Sequence, residues 1–215
     1  MRKYDTIIFD LDGTLLNSLE DLQDSLNHVM AKNGYKIRSL EEVRSFVGDG
    51  VRSLIKRACP DTCTEEDIDL YFKDFIAHYD KNMQNKTRPY DGIMELLIKL
   101  DRYNYKMAVV SNKYDQAVKY LVKYYFKDLI SVAIGESPSV KRKPSPDSLY
   151  AAVEKLDSSL DKTIYVGDSD TDMKTAENAG VTSLGVTWGF RTREVLNKAG
   201  ADYIIDTPKE LLTLI

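Results

Sequence analysis

Residues 6–9, Thr6-Ile7-Ile8-Phe9, form a short apolar run that stops abruptly at Asp10, and it leaves the chain few folds to choose from. An unbroken run of that length fits a strand buried on both faces, the habit of parallel sheets. Comparable runs follow at 106–110, 131–134, 163–166 and 182–186, with 203–205 as a sixth, and helical sequence lies between them. Strand and helix alternating in this way predict a doubly wound α/β fold.

The gap between the first two runs does not fit that rhythm. It reaches from Asp10 to Lys106, whereas a whole βαβ unit needs only about 30 residues. Residues 19–33, 39–59 and 64–84 read as helices with no convincing strand, broken by Asn33-Gly34 and Gly48-Asp49-Gly50. Residues 85–92, with Arg88-Pro89-Tyr90-Asp91-Gly92, read as the return, and 93–100 as the remaining crossover helix. The predicted organisation is a discontinuous α/β core, 1–17 and 86–215, with a helical domain over 18–85. A length of 215 residues against a typical domain of about 150 agrees with one core and a large insertion. Residues 113–126 predict an amphipathic helix, with Ala117, Val118, Leu121, Val122 and Tyr125 inward and Lys119 and Lys123 outward. Thr207-Pro208-Lys209-Glu210 has capping-box spacing, so a short helix should close the chain.

Composition removes several function classes. The net charge of −4 provides no broad positive field for nucleic acid or anionic lipid, so any anion must be held locally. Cys59 and Cys63 have no second pair of ligands for zinc and read as reduced thiols of a cytoplasmic protein. Neither a signal peptide nor a membrane span is predicted. His28 and His78 both lie in polar helical sequence and read as solvated positions, which argues against a histidine base.

In open α/β sheets, ligands bind beyond the carboxyl ends of the strands. Polar clusters fall at such places: Asp10-Leu11-Asp12-Gly13-Thr14, Ser111-Asn112-Lys113 and Gly167-Asp168-Ser169-Asp170-Thr171-Asp172, with Lys141-Arg142-Lys143-Pro144 a few residues after the third strand. Asp10 and Asp12, two apart on extended chain, project to the same side. Their repulsion is relieved only by a cation or by a proton. Asp168 and Asp172 add oxygen donors, and a carboxylate site without His or Cys suits a hard ion such as Mg²⁺. With Lys143 and Ser111 beside it, such a pocket is built to receive phosphate.

These four clusters, in this order, resemble the motifs of the haloacid dehalogenase superfamily of phosphatases, and the resemblance spans essentially the whole chain. It implies a Rossmann-like parallel-sheet core with an inserted helical C1 cap. Phe46-Val47-Gly48-Asp49-Gly50, Pro89-Tyr90-Asp91-Gly92, Trp188-Gly189 and Gly200-Ala201-Asp202 are similar to the phosphoglycolate phosphatase branch. The resemblance implies that Asp10 attacks phosphorus to give an aspartyl-phosphate and that Asp12 moves the proton in both half-reactions. It places Mg²⁺ on the Asp10 carboxylate, the Asp12 carbonyl and Asp168, with Asp172 acting through water. Lys143 and Ser111 meet the phosphate, and amides around Leu11, Gly13 and Asn112 complete its cradle. Among Lys141, Arg142 and Lys143, the third is chosen because Pro144 follows it, as in the family's motif. The implied substrate is a small phosphorylated metabolite, 2-phosphoglycolate first, with Gly48, Gly50 and Arg52 as contacts for its carboxylate. A monomer or homodimer is expected.

Two other readings are weighed. A β-phosphoglucomutase-like phosphoryl transfer would use the same site, but Thr14 stands where that group tends to carry Val. A signalling receiver shares the acidic pocket and the lysine, but in this chain the first strand carries the phospho-acceptor and a helical insertion follows it. Asp170 reads as a solvent-facing helix cap in preference to a metal ligand, Trp188 as a core aromatic or a cap contact, and Asn17 stands where relatives often carry Asp.

Overall fold

The computed structural model describes residues 2–215. It divides into two compact units, the chain up to Leu16 together with Pro89–Ile215, and Asn17–Arg88. In the first unit, β1 (Thr6–Phe9) lies at the centre of a six-stranded sheet. Two short strands, β2 (Leu16–Asn17) and β3 (Arg88–Pro89), pair where the chain passes from one unit to the other and back.

The second unit holds α1 (Leu19–Lys32), α2 (Leu40–Phe46), α3 (Gly50–Ala58) and α4 (Glu65–Asn82). Its core forms where α1 and α4 pack, with Leu22, Leu26, Val29 and Met30 on one side and Ile68, Tyr71, Phe75 and Tyr79 on the other. These residues recur at three- and four-residue spacing, one face of each helix. Ser39 with Glu42 and Thr64 with Asp67 form capping boxes that start α2 and α4. Between α2 and α3 the chain passes Gly48 at φ +122°, outside any helix.

The first unit continues with α5 (Ile93–Arg102), β4 (Lys106–Tyr114), α6 (Asp115–Phe126), β5 (Val132–Glu136), α7 (Asp147–Lys155), β6 (Thr163–Gly167), α8 (Asp170–Ala179), β7 (Thr182–Val186), α9 (Arg193–Lys198) and β8 (Tyr203–Ile205). The sheet order is β5-β4-β1-β6-β7-β8, and each neighbouring pair is parallel. This is the Rossmann-like α/β arrangement the apolar runs predict. Ile8, Val110 and Tyr165 of the sheet pack with Leu149 and Ala152 of α7 and Ala176 of α8 in one fully buried cluster.

Three local expectations are corrected. β4 runs past Val110 through Ser111, Asn112 and Lys113, so α6 starts at Asp115 rather than 113, and those residues stand on extended chain. The closing helix is a 3₁₀ segment over Pro208–Thr213. His78 is half-buried rather than solvated: it stacks on His28 at 4.3 Å and shares a 3.0 Å hydrogen bond with Ser25. Among the described residues, no helix is long and apolar enough to cross a membrane.

Candidate active site

Register assembles the site. Phe9 pairs with Val109 on one side and Val166 on the other, so the carboxyl ends of β1, β4 and β6 finish side by side. The three stretches that follow, from Asp10, Ser111 and Asp168, therefore meet although they are separated by about a hundred residues and by more than fifty. Lys143 joins them from the loop after β5. Its backbone is held by a reciprocal pair of bonds with the Asn112 side chain, Lys143 N to Asn112 Oδ1 at 2.8 Å and Asn112 Nδ2 to Lys143 O at 3.1 Å. The Asn112 side chain thus acts on Lys143, a role that the strand-end pattern alone does not show.

At the centre lie three buried carboxylates. Asp10, Asp168 and Asp172 each bring an oxygen within 4.8 Å of the others. Lys143 Nζ donates to Asp10 Oδ1 at 2.8 Å, to Asp172 Oδ1 at 2.7 Å and to the Tyr165 hydroxyl at 3.0 Å. Asp172 Oδ1 also accepts from Tyr165 at 2.8 Å, and Oδ2 accepts from Ser169 Oγ at 2.6 Å and Ser169 N at 3.1 Å. Asp172 is thereby well supplied with donors. Among the described residues, Asp168 receives only the Thr14 hydroxyl at 3.2 Å and the Phe190 amide at 2.7 Å.

The proton affinities follow from these surroundings. Burial pushes Asp10 up to about 7 against the pull of Lys143, and the charge of Asp172 adds to the rise. Burial, then the charges of Asp172 and Asp10, push Asp168 well above the ordinary carboxylate value. Asp172 goes the other way: burial opposes its charge, but the nearby Lys143 and the bonds from Lys143, Ser169 and Tyr165 hold it low. Lys143, buried with two carboxylates, stays protonated beyond the ordinary lysine range. Without a second cation, burial and mutual repulsion therefore make Asp10 and Asp168 bind protons more tightly than ordinary carboxylates.

The residues fit a hard divalent metal ion. The donors are all oxygen, and of the three acids Asp10 and Asp172 pair with the buried Lys143 ammonium while Asp168 does not. The backbone is shaped around them. Gly13 adopts φ +91°, and a Cβ there would lie 2.4 Å from Asp168 Oδ2. A Cβ on Gly189 would lie 2.4 Å from the Gly13 carbonyl and 2.3 Å from Asp168 Cβ. Any side chain at either position would displace Asp168.

Asp12 is not one of the three acids whose oxygens meet there, although its charge reaches Asp10. Its carboxylate is held by Lys113 Nζ at 2.8 and 2.7 Å, one bond to each oxygen. Ser111 is buried and accepts from the Lys113 amide at 3.2 Å. Leu11 and Gly13 are buried in the turn that starts at Asp10. Trp188 donates its indole N–H to the Thr14 carbonyl at 2.9 Å, so it braces the first cluster. Asp170 is exposed as the first residue of α8, while Ser169 is the cap.

Gly48, Gly50 and Arg52 belong to the helical unit. Gly50 opens α3, and Arg52 pairs with Asp69 and, at 2.7 Å, with Glu65 of α4. Sequence reasoning missed Lys113 and Tyr165. Lys113 reads as the start of a helix, and Tyr165 as one more apolar strand residue. The support for Asp172 was legible, since Ser169-Asp170-Thr171-Asp172 has capping-box spacing.

The buried carboxylate and lysine cluster lies beyond the central strands of a parallel α/β sheet. Residues 7–186 match the family described as haloacid dehalogenase-like hydrolase, and the chain belongs to that family. It is 36% identical over 203 residues to a protein named phosphoglycolate phosphatase from Agrobacterium fabrum strain C58, covering 93% of this chain and 87% of that one. A crystal structure of a predicted phosphoglycolate phosphatase from Haemophilus somnus superposes with a TM-score of 0.91 at 30% identity, covering 100% of this chain and 99% of the other. That of CbbY from Rhodobacter sphaeroides in complex with phosphate gives 0.76 at 25% identity, covering 97% and 96%.

Proposed function

We propose that the chain is a metal-dependent phosphatase that hydrolyses a small phosphate monoester, 2-phosphoglycolate first among them, through an aspartyl-phosphate on Asp10. The observation that carries this reading is Asp10 itself. It is buried at the end of the central strand and bonded to Lys143 through one oxygen, while its other oxygen accepts no hydrogen bond among the described residues. A carboxylate so held can serve as nucleophile. The substrate class is supported by relatives carrying that name at 28–36% identity.

Asp10 and Asp168, with the Asp12 carbonyl, would hold Mg²⁺, and Asp172 would support it through water. Bound there, the ion supplies the positive charge that lets an anionic phosphate approach an anionic nucleophile. The chain's own residues do the rest. Lys143 offsets phosphate charge, Ser111 donates from its hydroxyl, and amides of Leu11, Gly13 and Asn112 receive the remaining oxygens. In the first step the Asp10–phosphorus bond forms, the bond to the ester oxygen breaks, and Asp12 protonates the leaving alkoxide. In the second, water attacks phosphorus, its proton passes to Asp12, and phosphate leaves Asp10.

Phosphate release from 2-phosphoglycolate, glucose 1-phosphate and pyrophosphate, with Mg²⁺ and with EDTA, tests the reading. Mg²⁺-dependent turnover that favours 2-phosphoglycolate is expected. Broad weak turnover would remove the named substrate, and phosphoryl transfer to a second sugar hydroxyl in place of release would favour the mutase reading.

A further inference from the structure

We propose that Lys113 is a positioning residue for Asp12, an assignment that rests on the proton-transfer role given to Asp12 above. Lys113 lies on β4, next to β1 in the sheet and 101 residues from Asp12 in sequence, and its side chain is 3% exposed. An ammonium has three donors, and this one gives two of them to a single carboxylate, one bond to each oxygen. That clamp fixes the rotation of the Asp12 carboxyl plane, which the broad terminal torsion of Asp otherwise leaves loose.

The two buried lysines divide Asp10, Asp12 and Asp172 between them. Lys143 bonds to Asp10 and Asp172, the nucleophile and its neighbour, and Lys113 serves the acid that must face the leaving group. The Asp12 side chain is 16% exposed, at the edge of solvent, and Lys113 bonds to both of its oxygens there. A misplacement of about 1 Å in such a group costs on the order of 100-fold in rate.

The chemistry supplies a readout that a merely structural role would not move. In the first step the ester oxygen keeps the electron pair of the broken bond and takes a proton from Asp12. A glycolate alkoxide needs that proton, whereas p-nitrophenolate is stable as an anion. For Lys113→Met, kcat/KM for 2-phosphoglycolate should fall by about 100-fold, and that for p-nitrophenyl phosphate by less than about 3-fold. The maximal rate should fall for both, because the second step needs Asp12 whatever the ester was. Lys113→Arg should restore most of the loss. Lys113→Gln, with a shorter amide donor, should give an intermediate loss with the same selectivity, and serves if the Met variant does not fold.

Equal losses on the two esters, or no loss on either, would overturn the proposal. Asp12→Asn separates its failure from that of the underlying reading. If Asp12→Asn is selective for leaving group and the Lys113 variants are not, the role of Lys113 alone falls. If Asp12→Asn shows no such selectivity, the acid role of Asp12 falls, and this proposal falls with it.

Discussion

Asp21 in the helical unit and Asp168 in the α/β unit are equally buried, each 1% exposed, but the protein treats them differently. Asp21 accepts from the Lys86 amide at 3.1 and 3.0 Å, the Thr87 amide at 2.8 Å and the Thr87 hydroxyl at 2.7 Å. It is a carboxylate surrounded by neutral donors, tying the start of α1 to the residues after α4. Asp168 has one hydroxyl and one amide, and two further carboxylates within 4.8 Å. Burial is therefore common to an acid met by neutral donors and to the acid proposed to hold a metal. A deficit of donors relative to negative charge distinguishes the second, and a bound cation would remove that deficit.

Substitutions should separate the two kinds of acid. The largest effect is expected from Asp10→Asn, which should lower turnover by about 10⁴-fold or more while the metal-free thermal midpoint holds or rises, since one crowded charge is gone. Retained turnover would break the comparison at its functional end. Asp21→Ala should do the reverse. Losing several bonds to a buried charge costs about 2–3 kcal/mol, roughly 5–10 °C in a chain of this size. The variant that remains folded should keep kcat/KM within about 3-fold, and loss of activity without loss of stability would erase the distinction.

The third effect is on pH. Asp10, raised to about 7, and Asp168, raised well above its ordinary 3.8, bind protons more tightly folded than unfolded. Their contribution to stability is complete below 3.8 and is lost as pH rises through the folded values, about 7 for Asp10. Asp172, held below 3.8, changes only at lower pH and drops out of this window. A divalent cation replaces those protons, so Mg²⁺ should raise the thermal midpoint more at pH 8 than at pH 5, and an equal rise would contradict the fit. The smallest effect is expected from Arg52→Ala, whose pairs with Glu65 and Asp69 sit at the surface. A midpoint shift under about 2 °C is expected, and a rise in KM without one would assign Arg52 to ligand binding.

The sheet was legible because most of its strands are short apolar runs and the first four lead into polar clusters, and Asp10, Ser111, Lys143 and Asp168 stand at or soon after those ends. What the sequence hid depends on pairing between distant segments. Lys113 looks like a helix residue until β4 is seen to extend past Val110. Tyr165 looks like core until its hydroxyl is found on Lys143 and Asp172. The stacked His28 and His78 come from two helices whose packing no local pattern announces.

The central claim is that Asp10 carries the phosphoryl group. Rapid acid quenching of the protein during turnover of 2-phosphoglycolate with Mg²⁺, followed by mass analysis of its peptides, tests it directly. The account predicts phosphate on the peptide bearing Asp10, formed and discharged at the rate of turnover and absent in Asp10→Asn. Full-rate phosphate release with that peptide never labelled, or with the label on another residue, would contradict it.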